Sequence, residues 1–600
     1  MSRSEPLRPA WLLLPLGLLY LASLGRMVWL VATRPGDLED RARDGALQVE
    51  VLEAPRAPIL DRNGEVLALD RLRYRLVLDG PEARIRVARA LAAGDRETRS
   101  RVEAVARIAG LEPSALEEAY RSGASFRLLQ ASLPAVRAEE LRARGLAALG
   151  LRLEGWYERL WPAHRGLAQV LGQVRAAPPG SRERVASGGL EAHFDARLQG
   201  RPGLRMALDL PDRFGPPPAL EEQPPRPAWP LRTSLDAGIA ALAREELAVL
   251  MAEHEPEWAC AVVLDARSGA LRAALTLPDF DPHPGRRLVT RRVAGPDGEE
   301  REVPVGFVNH AFSPIEIGST CKPLILSRAL DEGVLGWREP LDASAGAWTA
   351  GGRRRGEKAI EDVPSVPRRA LSPDEVLIHS SNVCMAQLAM RMGGERLRRA
   401  LDAFRVFEPT GLLPGERAGR GPGRRYWENP RQAIWTWPSV AIGYQLEISP
   451  VRLAAAYTAF LDGGRLHEPW IVEEDVPEGS VRVLGEEAAD YVREALVGVV
   501  EHPPRTWLPR SPDLRWGGKS GTTRILDPQT REVTGHRSLF VAFGPAEEPA
   551  LVVVVVASRP SRGRYLGSQV AGPVAGRILR RALAWEGVLP RSEALAALPR

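Results

Sequence analysis

Glu316-Ile317-Gly318-Ser319-Thr320-Cys321-Lys322-Pro323 is the stretch whose reading decides the fold of this chain. It sets a hydroxyl and an amine three residues apart, just where an apolar helix-forming run, Leu324 to Leu330, begins. Residues three apart share a helix face, so Ser319 is expected at a helix N-terminus with Lys322 within reach of its hydroxyl. A serine becomes a nucleophile when a neighbouring base takes its proton. The partial positive charge and free N–H groups of a helix N-terminus favour an oxyanion. Cys321 is expected to point away, into the core.

Outward from this stretch, lysine is scarce. Of 81 basic side chains only Lys322, Lys358 and Lys519 are lysine, and the rest are arginine. Arginine keeps its proton at any working pH, whereas a desolvated lysine amine loses it and acts as a base. Lys519 opens Lys519-Ser520-Gly521-Thr522 on a predicted strand, and Ser380-Ser381-Asn382 lies between the two lysines, ahead of the helical run VCMAQLAM. Taken singly, each motif has a bland reading. Ser-x-x-Lys recurs by chance, Ser380 to Asn382 reads as a helix cap, and Lys519 to Thr522 reads as an exposed edge with a glycine. In this order they are the three pieces of a serine acyl-transfer site. Lys358, in RRRGEKAIED, has no motif around it and reads as a solvated charge.

Composition bounds the rest. A chain of 600 residues is too long for one core, and 44% hydrophobic content with interleaved charge indicates globular domains. The net charge of +5 is a small difference between 81 bases and 76 acids with no basic block, which argues against a nucleic-acid partner. Cys260, Cys321 and Cys384 all sit in apolar settings and have neither disulfide nor metal spacing. They read as buried small hydrophobes, so neither metal nor cofactor is expected.

Residues 10–33 form an apolar stretch broken only by Arg26, about the length needed to cross a bilayer of roughly 30 Å. We read it as an uncleaved single-pass anchor rather than a signal peptide, with residues 1–9 a cytoplasmic tail and the bulk of the chain outside the cytoplasm, on the periplasmic face of the inner membrane. Residues 34–205 mix extended and helical stretches, such as the helical Glu139 to Leu149. Residues 206–232 are dense in proline and read as a semi-rigid linker. Residues 233–590 form the larger domain, and 591–600 a tail. Within it Leu231 to Asp236 leads into a helix expected through Ala252, then two strands over Ala259 to Leu275 joined by Ala266-Arg267-Ser268-Gly269. Strands Leu514 to Thr523, His536 to Phe543 and Ala550 to Ser558 and a helix Val570 to Trp585 are expected at the far end. Strands at both ends with helices between predict an α+β fold, one antiparallel sheet closed by its termini and flanked by helices.

The three motifs together are those named for penicillin-binding proteins and class A β-lactamases, and the chain resembles a class B penicillin-binding protein nearly end to end. Arg56 to Gly64 (RAPILDRNG) resembles the family's entry segment, with Ala57 in a glycine's place. Gly188-Gly189-Leu190-Glu191, Asn309 with Glu316 to Pro323, and Gly443-Tyr444 followed by Ser449-Pro450 resemble further family segments. Ile317, Cys321, Cys384, Gln445 (where glycine is common) and Ser520 (for threonine) depart from the usual pattern.

The resemblance implies a penicillin-binding, β-lactamase-like transpeptidase domain behind an elongated non-catalytic dimerisation or pedestal domain. It implies a peptidoglycan D,D-transpeptidase that acts on stem peptides ending in D-Ala-D-Ala and is acylated by β-lactams. Ser319 would be the nucleophile and Lys322 its base, neutral through desolvation and the nearby charge of Lys519. Ser380 would pass a proton to the departing D-Ala, and Asn382 would hold the substrate amide. Lys519, Ser520, Gly521 and Thr522 would bind the substrate carboxylate, and the backbone N–H groups of Ser319 and Thr522 would form the oxyanion hole. The C-terminal run GRYLGSQVAGPVAGRIL resembles the septal cell-division member, which implies a multi-spanning glycan polymerase and divisome proteins as partners. An elongation-type enzyme, a β-lactamase-like hydrolase and a catalytically silent division scaffold are the alternatives. A class A hydrolase needs Glu-x-x-Leu-Asn for deacylation, and none of the four asparagines, Asn63, Asn309, Asn382 and Asn429, follows a leucine. The intact Ser319, Lys322, Ser380, Asn382 and Lys519 argue against a silent scaffold.

Overall fold

The computed structural model describes residues 47–122, 126–175, 184–208, 219–283, 290–294, 300–304, 306–349, 359–428, 430–502, 507–509, 513–527 and 529–589. The apolar stretch 10–33, the two tails and Lys358 lie outside them. Among the described residues no helix is long and apolar enough to cross a membrane.

The chain builds two compact units and passes between them repeatedly. Of the described residues, one takes in those of 47–56, 70–158 and 199–228; the other takes in those of 57–69, 159–198 and 229–589. In the first unit, helices Pro81–Ala92, Arg96–Ala109 and Pro113–Arg121 close over a core of Leu76, Leu78, Val102, Val105, Leu116, Tyr120, Leu133 and Leu141. The helical stretch expected over Glu139 to Leu149 is divided. Ala135–Arg142 is α-helical, Gly145 turns with φ +64°, and Leu146–Leu149 forms a 3-10 turn. Strands Leu47–Leu52, Gly203–Leu208 and Ala219–Gln223 form an antiparallel sheet with Gly203–Leu208 in the middle. Residues 206–232, expected as a linker, thus contribute an edge strand, the place in a sheet where proline-flanked segments are tolerated.

In the second unit, Asp236 caps helix α1 (Ala237–His254) by accepting from the Ile239 N–H at 3.0 Å. Strands β1 (Trp258–Asp265) and β2 (Leu271–Leu277) follow, joined by a turn in which Asp265 Oδ1 accepts from the N–H groups of Arg267 and Ser268 and Gly269 takes φ +73°. Helices α2 (Lys322–Asp331), α3 (Pro373–His379), α4 (Asn382–Ala403), α5 (Pro450–Leu461) and α6 (Glu486–Glu501) occupy the middle of the sequence. Strands β3 (Gly517–Leu526), β4 (Val533–Gly544) and β5 (Leu551–Ser558) and helix α7 (Gly567–Trp585) complete the unit.

The strands form one antiparallel sheet in the order β2-β1-β5-β4-β3. The central strand β5, LVVVVVAS, is buried along its whole length, so both faces are covered, by α1 packed with α7 and by α5 packed with α6. The sheet closed by its two sequence ends is therefore as expected. The edge strand β3 carries Lys519 to Thr522, and this edge positions the site.

Candidate active site

Ser319 lies in a 3-10 turn, Gly318–Cys321, that runs directly into α2, whose first residue is Lys322. Backbone packing holds the turn from two sides. The Gly318 N–H donates to the Gly443 carbonyl at 3.2 Å, and a Cβ on Gly443 would lie 2.0 Å from the Gly318 oxygen. On the other side a Cβ on Gly521 would meet the Ile317 carbonyl at 2.5 Å, and one on Gly318 would sit 3.2 Å from the Thr522 nitrogen. The glycines of two motifs therefore let β3 lie against the Ser319 turn, with the Thr522 amide beside it. The Tyr457 hydroxyl donates to the Thr320 carbonyl at 2.7 Å from within the core. Cys321 is buried, as expected.

Lys322 and Lys519 are both fully buried, while Ser319, Ser380, Asn382, Ser520 and Thr522 are partly exposed above them. The Lys322 amine donates to the Ser380 carbonyl at 2.7 Å, to Ser380 Oγ at 3.2 Å and to Asn382 Oδ1 at 2.7 Å. Lys519 donates to the same Ser380 Oγ at 2.9 Å and to the Ser520 carbonyl at 3.3 Å. Ser380 thus bridges the two amines. Ser319 Oγ is not among the Lys322 acceptors, because the ammonium already spends its three donors on the Ser380-Ser381-Asn382 turn. Burial pushes the Lys322 amine down to about 8, opposed by Cys321, Asp362 and Cys384. Desolvation is therefore the leading cause, as expected from the sequence.

The turn bearing Ser380 is formed by two helix ends. Ser380 closes α3 in the left-handed region at φ 59°, and Ser381 caps α4 by accepting from the Cys384 N–H at 3.1 Å. The helix-cap reading of this motif is thus borne out at Ser381. The Thr522 hydroxyl accepts from the Gly567 N–H at 2.9 Å, tying β3 to the start of α7.

Two features escaped the sequence reading. Asp362, only 6% exposed, accepts from Ser381 Oγ at 2.8 Å and from the N–H groups of Asn382 and Val383. No motif marks it, and only a short strand pair, Ala347–Trp348 with Ile360–Glu361, brings it back to α4. Gln445, standing where glycine is common, takes φ 59° and donates its N–H to Glu316 Oε1 at 3.1 Å. Burial raises the Glu316 carboxyl above its ordinary value.

One cluster of metal-ligating type occurs among the described residues: His164, Asp281 and His283. Three of its four ring nitrogens are engaged in hydrogen bonds, and the fourth, His164 Nε2, lies 4.0 Å from Asp281 Oδ1. His283 Nε2 accepts from the Trp161 N–H at 3.3 Å, so Nδ1 donates to Asp281 Oδ1 at 2.6 Å, and His164 Nδ1 donates to the Trp161 carbonyl at 2.8 Å.

Residues 259–580 match the model of the penicillin binding protein transpeptidase domain, and residues 51–208 that of the penicillin-binding protein dimerisation domain. The chain is 27% identical to the probable peptidoglycan D,D-transpeptidase PenA of Neisseria meningitidis serogroup A, covering 98% of this chain and 94% of that one. It is 26% identical to the peptidoglycan D,D-transpeptidase FtsI of Escherichia coli K12, over 93% and 88% respectively. Among solved structures, penicillin binding protein 2X of Streptococcus thermophilus superposes with a TM-score of 0.71 at 19% identity, over 90% of this chain and 81% of that one. That likeness carries the fold.

Proposed function

The chain belongs to the penicillin-binding protein transpeptidase family, and from that premise we propose that it is a peptidoglycan D,D-transpeptidase working through a serine acyl-enzyme at Ser319. The observation that carries the reading is the pair of fully buried lysines sharing Ser380 Oγ beside the Ser319 turn. Burial brings the Lys322 amine down to about 8, toward the range in which a base for a serine works.

Ser319 Oγ bonds to the carbonyl carbon of the penultimate D-Ala while its proton passes to neutral Lys322. The amide to the terminal D-Ala breaks, and Ser380, hydrogen-bonded to both lysines, delivers the proton to the leaving amine. Asn382 orients the substrate amide, and Lys519, Ser520 and Thr522 bind the terminal carboxylate beside the Gly521 backbone. The N–H groups of Ser319 and Thr522 receive the oxyanion. An amine from a neighbouring stem peptide then displaces Ser319 and completes the crosslink. β-Lactams acylate the same serine and remain there for want of a deacylating base.

Its place in the cell is proposed on the same footing. The segment 10–33 anchors the chain in the inner membrane, 34–205 serves as a pedestal, and the enzyme works in septal wall synthesis beside a multi-spanning glycan polymerase and divisome proteins. The likeness to FtsI supports the septal role.

Mass spectrometry of the purified protein after penicillin treatment tests the chemistry: the adduct is expected on the peptide containing Ser319, and an unmodified protein or an adduct elsewhere overturns it. Depletion in cells tests the septal role, filaments with unfinished septa being expected and round cells pointing to elongation instead.

A further inference from the structure

Asp362 is a buried carboxylate with no basic side chain bonded to it among the described residues, and its charge needs a reason. Oδ1 takes the first N–H groups of α4, at Asn382 and at Val383 (3.1 Å), and Oδ2 takes the Ser381 hydroxyl at 2.8 Å. The positive end of α4 stabilises an anion there. Capping alone does not require a carboxylate, since Ser381 Oγ already accepts from Cys384 and a neutral acceptor would serve the remaining N–H groups. The neighbouring Glu361 carbonyl accepts from Asn382 Nδ2 at 2.9 Å, which fixes the amide so that Oδ1 faces Lys322 at 2.7 Å. Residues 361 and 362 therefore clamp Asn382 from its backbone and from its side chain.

We propose that Asp362, which lies in none of the three motifs, is a positioning residue for acylation: it holds the Ser380-Ser381-Asn382 turn in register with Lys322 and places a carboxylate whose field acts on the Lys322 amine. This rests on the reading that Ser319 is the acylated group. The Lys322 amine is hydrogen-bonded to Ser380 and Asn382, shares the Ser380 hydroxyl with Lys519, and lies in the field of Cys321 from the Ser319 turn, Cys384 from α4 and Asp362. Burial pushes the thiols of Cys321 and Cys384 up to about 12 and about 11, so both are neutral when Lys322 titrates. Of these three groups Asp362 is then the one whose charge opposes the effect of burial on the Lys322 amine.

The test is the rate constant for penicillin acylation of the full chain as a function of pH, with melting temperature measured beside it. Asp362→Asn is expected to move the midpoint of the acid limb to lower pH and to lower the high-pH plateau by roughly tenfold to 10²-fold, the scale of a misplaced reacting group. Asp362→Glu keeps the charge, so its plateau falls while its midpoint stays near wild type. A carboxylate that is only a helix cap lowers the melting temperature and leaves the Asp362→Asn midpoint at the wild-type pH, which overturns the proposal. Should Asp362→Asn fail to fold, Ser381→Ala removes one partner of Asp362 and keeps the charge; its plateau must fall with an unmoved midpoint, and a wild-type plateau overturns the assignment. A wild-type protein without an adduct at Ser319 sinks the parent reading, which is a distinct result.

Discussion

Burial turns Lys322 from an ordinary lysine into an amine that titrates near pH 8. Below that pH it is an ammonium and cannot accept the Ser319 proton, so acylation is expected to rise with pH through about 8, as a penicillin-binding rate profile would show. The sign of the stability effect is the same. Between about pH 8 and the ordinary lysine value of 10.5 the unfolded chain holds a proton that the folded chain has lost, so this residue's contribution to stability rises with pH across that window. Lys322→Arg keeps the charge but cannot lose the proton, and acylation should drop by at least about 10²-fold. Lys519→Arg should fall between this and wild type, since the charge remains but a larger guanidinium must fit against Ser380 Oγ. Stopped-flow acylation of the two variants checks the order. The motif residues were legible because their chemistry is tied to residue type. Asp362 was not, because its role comes from where a strand pair delivers it.

At the scale of elements, the site depends on backbone surfaces that touch without side chains between them. Gly521→Ala would set a Cβ 2.5 Å from the Ile317 carbonyl. Backbone on both sides leaves only separation of β3 from the Ser319 turn. The expected result is a loss of acylation on the order of 10²-fold with a stability cost of about 1–3 kcal/mol, read from rate constants and denaturant melts of the same preparation. Capping residues set helix starts at Asp236, at Ser449-Pro450 and in the capping box of Ser372 with Glu375. The two-residue strands Ile315–Glu316 and Glu447–Ile448, which pair beside the Ser319 turn, were not readable in advance. Strands so short have no period, and only the partner defines them.

At the scale of the whole molecule, β1 near residue 260 pairs with β5 near residue 555 throughout its length, Trp258 opposite Ser558 and Asp265 opposite Leu551. A chain ending at Ala550 would leave β1 and β4 without the strand between them, and neither a cooperative melt nor penicillin labelling of Ser319 is expected from it. The second unit also includes 57–69 and 159–198, among them the fully buried Trp161, Val170 and Leu171. A fragment beginning at Trp229 should therefore melt at a lower temperature than the full chain, which calorimetry on the two proteins would show. By itself the sequence determined the motifs, their order, the strands of the closing sheet and the helices that flank it at its two sequence ends, because period and titratable residue types act locally. Only the tertiary structure decided that Ser380 bridges the two lysines, that Lys322 turns its donors to Ser380 and Asn382 and not to Ser319, and that Asp362 stands behind them. Those facts depend on desolvation and on distances between segments far apart in the chain, and neither quantity exists until the chain has folded.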